Sequence, residues 1–427
     1  MAEEDPTQFR GFRGLNNLDP VERLKPDALR DALNVDIDAD GRVSRREGFA
    51  QVYSGGDIHS LWGGNILLCV EGADLKRLTV NADGTLSAAV LGSGFIPGRP
   101  VAYDMLGDEV FLSNGVITGK VKNGALIPWG VQTPQRQPAL TADTVGGLDA
   151  GAYLVAVTFV SNSGEESGSP APQKIDIPAG GGIALSLLPT PTEANITTIR
   201  LYVSPPNEDV LYLADEVPAG ATSALIYKWD TGMQAQTLLL DKMPPSVSIA
   251  HVGGRIYGIL GNVLYWSEPL RYGLYRPARN WMLFPGGDLR AIGGVEGAGL
   301  YVVGDKTWFL SGTDPSSFTQ TEVLGYGGPR QQMLRVPREA FTSLNISVAD
   351  VPVWLSERGF HAGLPEGVVN LTERQAVVDS YQRIASLYRE RHGRRQVMAT
   401  GANPMKSKFA IGDSVIAEVR RNGVIIT

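Results

Sequence analysis

The fold is decided by residues 251–315, which read HVGGRIYGILGNVLYWSEPLRYGLYRPARNWMLFPGGDLRAIGGVEGAGLYVVGDKTWFLSGTDP. This stretch repeats one short phrase, a run of β-branched and aromatic residues that is closed by glycine or a polar turn. The phrase occurs at residues 255–258, 262–266, 300–304 and 307–310. Runs of four or five such residues between turns of Gly, Asn, Asp and Pro are too short for helices. They predict consecutive antiparallel strands in a blade-like array.

The same phrase continues towards both ends of the chain. Eight short runs lie between residues 58 and 130, separated by turns such as Asp83-Gly84 and Asn123-Gly124 that supply the positive φ values of tight hairpins. They predict about two further blades. Strands are also expected at 34–37 and 42–44 as a hairpin, at 353–372, and in the last twenty residues.

Residues 137–245 form a separate unit by composition. Proline-rich segments bound it on both sides, and its formal charge is −8, against −4 for residues 1–136 and +5 for residues 251–427. About six strands with polar turns in such a length predict a small β-sandwich of the immunoglobulin or fibronectin type, inserted into the blade array.

The sequence therefore predicts an all-β chain, a β-propeller with an inserted sandwich. The predicted parts are an N-terminal arm and hairpin (1–50), a first part of the propeller (51–136), the insert (137–245) and a second part of the propeller (246–427). Two helical features are expected within this frame. A helical turn at 26–33 follows from an early proline and apolar spacing, and a helix at 374–391 follows from an apolar stripe.

Four segments carry a resemblance to a known family. They are Gly-Arg-Ile-Tyr at 254–257, Gly-Asn-Val-Leu-Tyr-Trp-Ser-Glu-Pro at 261–269, Arg-Pro-Ala-Arg-Asn-Trp at 276–281 and Trp-Phe-Leu-Ser-Gly-Thr-Asp-Pro at 308–315. They resemble β-propeller proteins that form the tail tube or nozzle of short-tailed bacteriophages, and residues 14–17, 31–38 and 41–49 are similar to the opening of such proteins. The resemblance implies a virion tail location after synthesis in the host cytoplasm.

The resemblance also implies partners. It implies a homo-oligomeric ring of six copies, a proximal head-to-tail adaptor ring, and a distal fibre, spike or plug protein. Phage DNA would be held in the ring and ejected through it. The formal charge of −7 argues against a tight grip on DNA, which needs Lys and Arg to neutralise phosphates, but permits non-specific contact with DNA that slides past.

Chemical signatures of catalysis are not found in the sequence. The single cysteine, Cys69, lies in an apolar run, and the four histidines stand apart from one another without metal-ligand spacing. There is no nucleophile elbow, phosphate loop or dinucleotide fingerprint. We therefore predict a non-enzymatic protein with no metal, no cofactor and no membrane span. The alternative from another class is a carbohydrate-binding or glycan-hydrolysing propeller, and the hydrolysing form would need paired carboxylates beside an arginine cluster.

Two basic groups are the candidate functional surfaces. The candidate subunit or partner interface lies in a tyrosine-rich loop, a composition that interface hot spots favour, while the nearby Trp266 and Trp281 are expected in the blade core. The members of this first group are Arg271, Tyr272, Tyr275, Arg276 and Arg279. The candidate contact with DNA or an acidic partner, which could equally be a solvated helix end, consists of Arg389, Arg391, Arg394 and Arg395.

Overall fold

The fold was analysed in a computed structural model. It describes residues 11–12, 14–32, 35–37, 41–45, 50–341, 346–372, 381–391, 394–404, 414–420 and 423–426. Within these residues the chain is all-β: it has 37 strands, and its only helical elements are three 3₁₀ turns of three residues each. These turns are Val21–Arg23, Pro315–Ser317 and Arg338–Ala340.

Short strands near the N-terminus form two small sheets. Strands β1 (Gly14–Leu15) and β2 (Ala28–Leu29) pair in parallel, and β3 (Val35–Ile37) pairs with β4 (Val43–Arg45) in an antiparallel hairpin. The hairpin predicted from the sequence is confirmed. The helical turn predicted at 26–33 is wrong in the described part of that segment, because Ala28 and Leu29 are extended and pair with β1 instead.

Outside the insert, six four-stranded antiparallel sheets are found among the described residues. Sheet 1 contains β5 (Ile58–Gly63), β6 (Leu67–Glu71), β7 (Asp74–Val80) and β8 (Leu86–Ser93). Sheet 2 contains β9 (Ala102–Leu106), β10 (Glu109–Ser113), β11 (Thr118–Lys122) and β12 (Ala125–Ile127). These are the two four-stranded units that the sequence predicts before the insert.

The insert contains two facing sheets. One has the order β13-β16-β19 and the other β15-β14-β17-β18. The strand bounds are β13 Ala139–Leu148, β14 Gly151–Ser161, β15 Gln173–Ile177, β16 Gly181–Ser186, β17 Ile196–Val203, β18 Tyr212–Pro218 and β19 Ser223–Ile226. Their inner faces share one apolar core that includes Tyr153, Phe159 and Leu201. The Tyr153 hydroxyl donates to the Asp149 carbonyl at 2.9 Å, a tyrosine-corner type of bond that suits the predicted immunoglobulin-like sandwich.

Sheets 3 and 4 follow the insert. A short strand β20 (Asp241–Lys242) leaves the insert and pairs with β24 (Leu274–Tyr275). Sheet 3 contains β21 (Ser248–Val252), β22 (Arg255–Leu260), β23 (Val263–Trp266) and β25 (Trp281–Leu283). Sheet 4 contains β26 (Ala291–Val295), β27 (Gly299–Val303), β28 (Thr307–Ser311) and β29 (Thr319–Leu324).

Sheets 5 and 6 are the last two sheets of the described residues. Sheet 5 contains β30 (Leu334–Pro337), β31 (Asp350–Ser356), β32 (Gly359–Leu364) and β33 (Gly367–Asn370). Sheet 6 contains β34 (Tyr381–Arg391), β35 (Arg394–Pro404), β36 (Ser414–Arg420) and β37 (Gly423–Ile426). The helix predicted at 374–391 is therefore wrong from Tyr381 onwards, and residues 374–380 lie outside the described part of the chain.

The helix prediction fails because a two-residue period is present in the same segment. Ile384 is buried in the core that β34 shares with sheets 4 and 5, while Ala385 and Leu387 on the opposite face are exposed. Pairing along the whole length of β34 with β35 supplies its backbone hydrogen bonds. Tertiary pairing thus overrides a helix-like spacing of apolar residues.

The six sheets stack face to face in chain order, because each central strand is apolar on both faces. In β22, Ile256 contributes to the core shared with sheet 2, and its neighbour Tyr257 contributes to the core shared with sheet 4. A similar core joins sheet 1 to sheet 2, and another is shared by sheets 4, 5 and 6. Alternate residues of a strand point to opposite faces, so two apolar faces require a sheet on each side.

The six sheets do not form a straight stack but converge at their first strands, and we call this arrangement the fan. Sheets pack about 10 Å apart, so the third and fifth sheets of a straight stack would lie roughly 20 Å apart. Instead the Gln332 side chain, just before β30 in sheet 5, donates to the Ile249 carbonyl in sheet 3 at 2.9 Å. The Arg335 guanidinium on β30 of sheet 5 also lies close to sheet 2, with its Nη2 3.6 Å from the Asp104 carboxylate on β9. The first strands of sheets 2, 3 and 5 therefore meet near one axis.

No helix in the described residues is long and apolar enough to cross a membrane.

Candidate functional site: a cleft beside the insert

A cleft of about 590 Å³ lies where the insert meets sheets 2 and 3. Three elements supply its walls: strands β10 and β11 of sheet 2, the hairpin tip after β14 with the return segment 233–237 of the insert, and the loop 270–274 that follows β23. The cleft lies where the insert meets the sheets, and ligand sites occur preferentially at such junctions between domains.

A buried lysine joins two of these walls. Lys120 on β11 has a side chain only 6% exposed, and its Nζ lies 2.5 Å from Glu165 Oε1 in the insert and 3.3 Å from Glu109 Oε2 on β10. Glu109 also accepts from the more exposed Lys122 at 2.6 Å. This hydrogen bond raises the pKa of Lys122. Both carboxylates are therefore held by cations across the boundary between sheet 2 and the insert.

The neighbouring Glu166 is the centre of a second polar cluster. It accepts hydrogen bonds from Thr158 at 2.6 Å, from Arg200 at 2.7 Å and from Tyr202 at 2.7 Å. Burial and then the bond to Glu166 raise the pKa of the Tyr202 hydroxyl. Burial opposes a charged Arg200, yet its bonds to Glu216 and Glu166 prevail and raise its pKa. Through these hydrogen bonds Glu166 fixes the hairpin tip onto β17.

Aromatic side chains form the floor of the cleft. Trp129 is 1% exposed, and its Nε1 donates to the Tyr272 carbonyl at 2.8 Å. The Phe111 ring packs edge-on against both Trp129, at 5.3 Å, and Tyr272, at 5.9 Å between centroids. Gly130 and Gly273 approach so closely that a Cβ on Gly130 would lie 2.6 Å from the Gly273 carbonyl oxygen. This packing fixes the 270–274 loop against sheet 2.

The five residues predicted as a subunit or partner interface do not lie together in the structure. Arg271 and Tyr272 line the cleft, and the Arg271 guanidinium donates to the Gln236 side chain across it. Tyr275 packs edge-on against Tyr265 at 6.1 Å, which makes it a packing residue. The Arg276 Nε lies 4.0 Å from Glu268 and is buried without a hydrogen bond. Arg279 is exposed beyond the cleft.

The second predicted group surrounds a hairpin tip rather than a helix end. Arg389 on β34 donates from Nε to Gln396 Oε1 at 2.7 Å, and Arg395 on β35 contacts Glu390 at 3.4 Å and the Glu339 carbonyl. Arg391 and Arg394 pair through their backbones at the ends of the two strands, and their side chains lie outside what the structure describes. We name these four residues the hairpin-tip arginines.

The two tryptophans predicted as core differ from each other. Trp266 is 4% exposed and belongs to the core between sheets 3 and 4, as predicted. Trp281 is 45% exposed and Leu283 is 57% exposed, so the prediction is wrong for Trp281. Both lie at alternate positions of β25, the edge strand of sheet 3, and form an apolar strip that we call the β25 edge.

Sequence reasoning missed Lys120, Glu165 and Trp129 as residues of the cleft. Each sits in an ordinary strand or turn, and only the docking of the insert brings the three walls together. Among the described residues no group of three His, Cys, Asp or Glu side chains is placed to hold a metal ion. No family model and no curated protein matches the chain.

Proposed function

We propose that this chain is a structural virion protein that forms a ring in the tail tube or nozzle of a short-tailed bacteriophage. The observation that carries the proposal is the architecture: two four-stranded sheets, an immunoglobulin-like insert, and four further sheets fanned around one axis. The four segments that carry the resemblance, at 254–257, 261–269, 276–281 and 308–315, lie in strands of sheets 3 and 4 and in the loops beside them. A fan of six such sheets is compatible with a closed six-bladed propeller, and we propose that it closes.

The β25 edge is the surface that we assign to contact between copies. An edge strand presents unpaired backbone groups, and soluble chains normally protect such edges with charge or proline. Here the edge carries Trp281 and Leu283 in exposed positions, and Leu270, which is 75% exposed, precedes Arg271 in the neighbouring loop. Exposed apolar residues beside Tyr and Arg are the composition of a protein interface.

The charge distribution supports passage of DNA rather than its capture. The insert carries −8 of the formal charge, and the chain as a whole carries −7. A lumen lined by such subunits would repel a passing polyanion. The proposed assembly therefore holds DNA by enclosure, with an adaptor ring above it and a fibre, spike or plug below it.

Cryo-electron microscopy of particles that contain this chain tests the proposal. We expect a ring of six copies in the tail, with density for the insert outside the fan of sheets. Trp281→Lys should disrupt the ring without unfolding the chain, whereas Leu61→Lys, at a 70% exposed position of sheet 1, serves as the matched control. Particles that hold the chain as isolated monomers would overturn the proposal.

The carbohydrate-binding or hydrolysing alternative is less well supported. Glu109, Glu165 and Glu166 in the cleft each accept from a cation, whereas a glycosidase needs one carboxyl group free to donate a proton and another free to attack or activate water. A glycan array probed with the purified chain separates the two: saccharide binding that depends on Arg271 would favour the alternative.

A further inference from the structure

Three arginines from distant parts of the sequence meet where sheet 6 approaches the connection between sheets 1 and 2. Arg383 on β34 donates from Nη1 to the Gly98 carbonyl at 3.1 Å, next to Arg99 in the chain. Arg383 also forms a parallel bridge with Arg330, and the Arg330 carbonyl accepts from the Ile384 N–H at 2.9 Å. The Arg99 Nε donates to the Asn114 carbonyl at 2.8 Å.

The positive charge of this cluster is uncompensated within the described residues. None of the three guanidinium groups has a carboxylate within 4.0 Å there, and Arg330 Nε and Nη2 are buried with no hydrogen-bond partner. Burial, and then the charges of Arg99 and Arg383, lower the pKa of Arg330, and Asp288 opposes this only as the last contribution. An unpaired buried charge is costly, so such an arrangement calls for an anion.

We propose that Arg99, Arg330 and Arg383 form a binding site for a phosphate-type oxyanion that joins sheet 6 to the beginning of the fan. The proposal does not depend on a role in a phage tail. The site is open to solvent on one side, because Gly98 is exposed and Arg99 and Arg383 are partly exposed.

The number of donors selects the ligand. A guanidinium group presents its N–H donors in a rigid fork that matches the oxygens of carboxylate and phosphate. One carboxylate has two oxygens, which the two free nitrogens of Arg330 alone can occupy. A phosphate group offers three or four oxygens and up to two negative charges, so it can also accept from Arg99 and Arg383. The phosphate can be a free ion or a group of a nucleic-acid backbone.

Thermal unfolding with and without inorganic phosphate tests the site. At constant ionic strength and pH 7.5, replacing chloride by 10 mM phosphate should raise the Tm of the full chain by about 2–4 °C, because a ligand that binds only the folded state stabilises it. Arg330→Gln should abolish this rise. Arg77→Gln, at an exposed position of β7, should keep it. Equal Tm values in phosphate and chloride for the unmodified chain would overturn the proposal.

Direct binding distinguishes an anion site from a merely repulsive cluster. Equilibrium dialysis with radiolabelled phosphate should give one site per chain, weakened at least tenfold by Arg330→Gln and less by Arg330→Lys, which keeps the charge but loses the fork. Arg383→Gln provides the same test should Arg330→Gln fail to fold. Competition by a twelve-residue thymidine oligonucleotide would assign the site to backbone phosphate, and its failure to compete would assign the site to the free ion. Undiminished phosphate binding by Arg330→Gln and Arg383→Gln would overturn the assignment.

Discussion

Acidification should destabilise this protein through His361, which is fully buried on β32. Its Nδ1 donates to the Gly359 carbonyl at 2.9 Å, and its Nε2 accepts from the Tyr326 hydroxyl at 3.0 Å. The Trp354 ring stacks on the imidazole with centroids 5.8 Å apart. Burial, opposed in part by the bond to Gly359 and aided by the Arg358 charge, lowers the pKa of His361 to about 4. The folded state therefore holds this histidine neutral.

The direction of the pH effect follows from comparison with the unfolded chain. There the imidazole has a pKa of about 6.5, so the unfolded state takes up a proton first as the pH falls. The contribution of neutral His361 is complete above about pH 7 and is lost between pH 6.5 and 4. At pH 5.0 the solution is about 1.5 units below the pKa of the imidazole in the unfolded state. At 1.36 kcal/mol per unit, the free energy of unfolding is therefore about 2 kcal/mol lower than above pH 7.

Urea unfolding at pH 7.5 and pH 5.0 measures this effect. The unmodified chain should lose about 2 kcal/mol more than His361→Gln, whose amide oxygen can still accept from Tyr326 but takes up no proton. His59→Gln is the matched control, since His59 is only partly buried and burial lowers its pKa as well. It should leave most of the pH dependence in place. A His361→Gln variant with the pH dependence of the unmodified chain would refute the reasoning.

Three further predictions concern the insert and the basic surfaces. Lys120→Met should lower the free energy of unfolding by about 2–3 kcal/mol, because Glu109 and Glu165 lose a buried partner; Lys122→Met, whose side chain is 43% exposed, should cost much less in the same urea titration. Replacing residues 137–240 by a short linker should leave the six sheets folded, since β20 still pairs with β24, and circular dichroism of the soluble variant measures this. An insoluble variant beside an isolated insert that folds would contradict the prediction. The free chain should bind duplex DNA no tighter than roughly 10⁻⁴ to 10⁻⁶ M at physiological salt, and glutamine at the hairpin-tip arginines should abolish that binding in a filter assay, whereas nanomolar, sequence-specific binding would argue for DNA recognition.

Strands were predictable where the local pattern and the tertiary environment agree. The runs at 255–258 and 262–266 are short, β-branched and bounded by turn residues, and they form β22 and β23. In β34 the local pattern is ambiguous, because apolar residues separated by long charged side chains satisfy both a helical and a two-residue period. Only pairing with β35 decides between the helical and the two-residue period, and the sequence of the segment itself does not indicate this pairing.

The sites were less predictable than the fold. Arg271 and Tyr272 were found because they lie in one aromatic and basic loop, which is a local signal. Arg99, Arg330 and Arg383 carry no such signal, since each stands alone in its own segment and more than 280 residues separate Arg383 from its acceptor Gly98. Clusters of this kind come from contacts between segments that are distant in the sequence, and they can be recognised only in three dimensions.

The insert also has a consequence for how the chain reaches its folded state. The His251 N–H donates to the Asp104 carboxylate between sheets 3 and 2, across 147 residues of sequence. If the insert between them folds first, its ends are held together and the open loop shrinks to about 40 residues. The entropic cost of closure then falls by about 1 kcal/mol, since it grows as the logarithm of loop length. An early-folding insert would thus act as an internal clamp that speeds the meeting of the two halves of the fan.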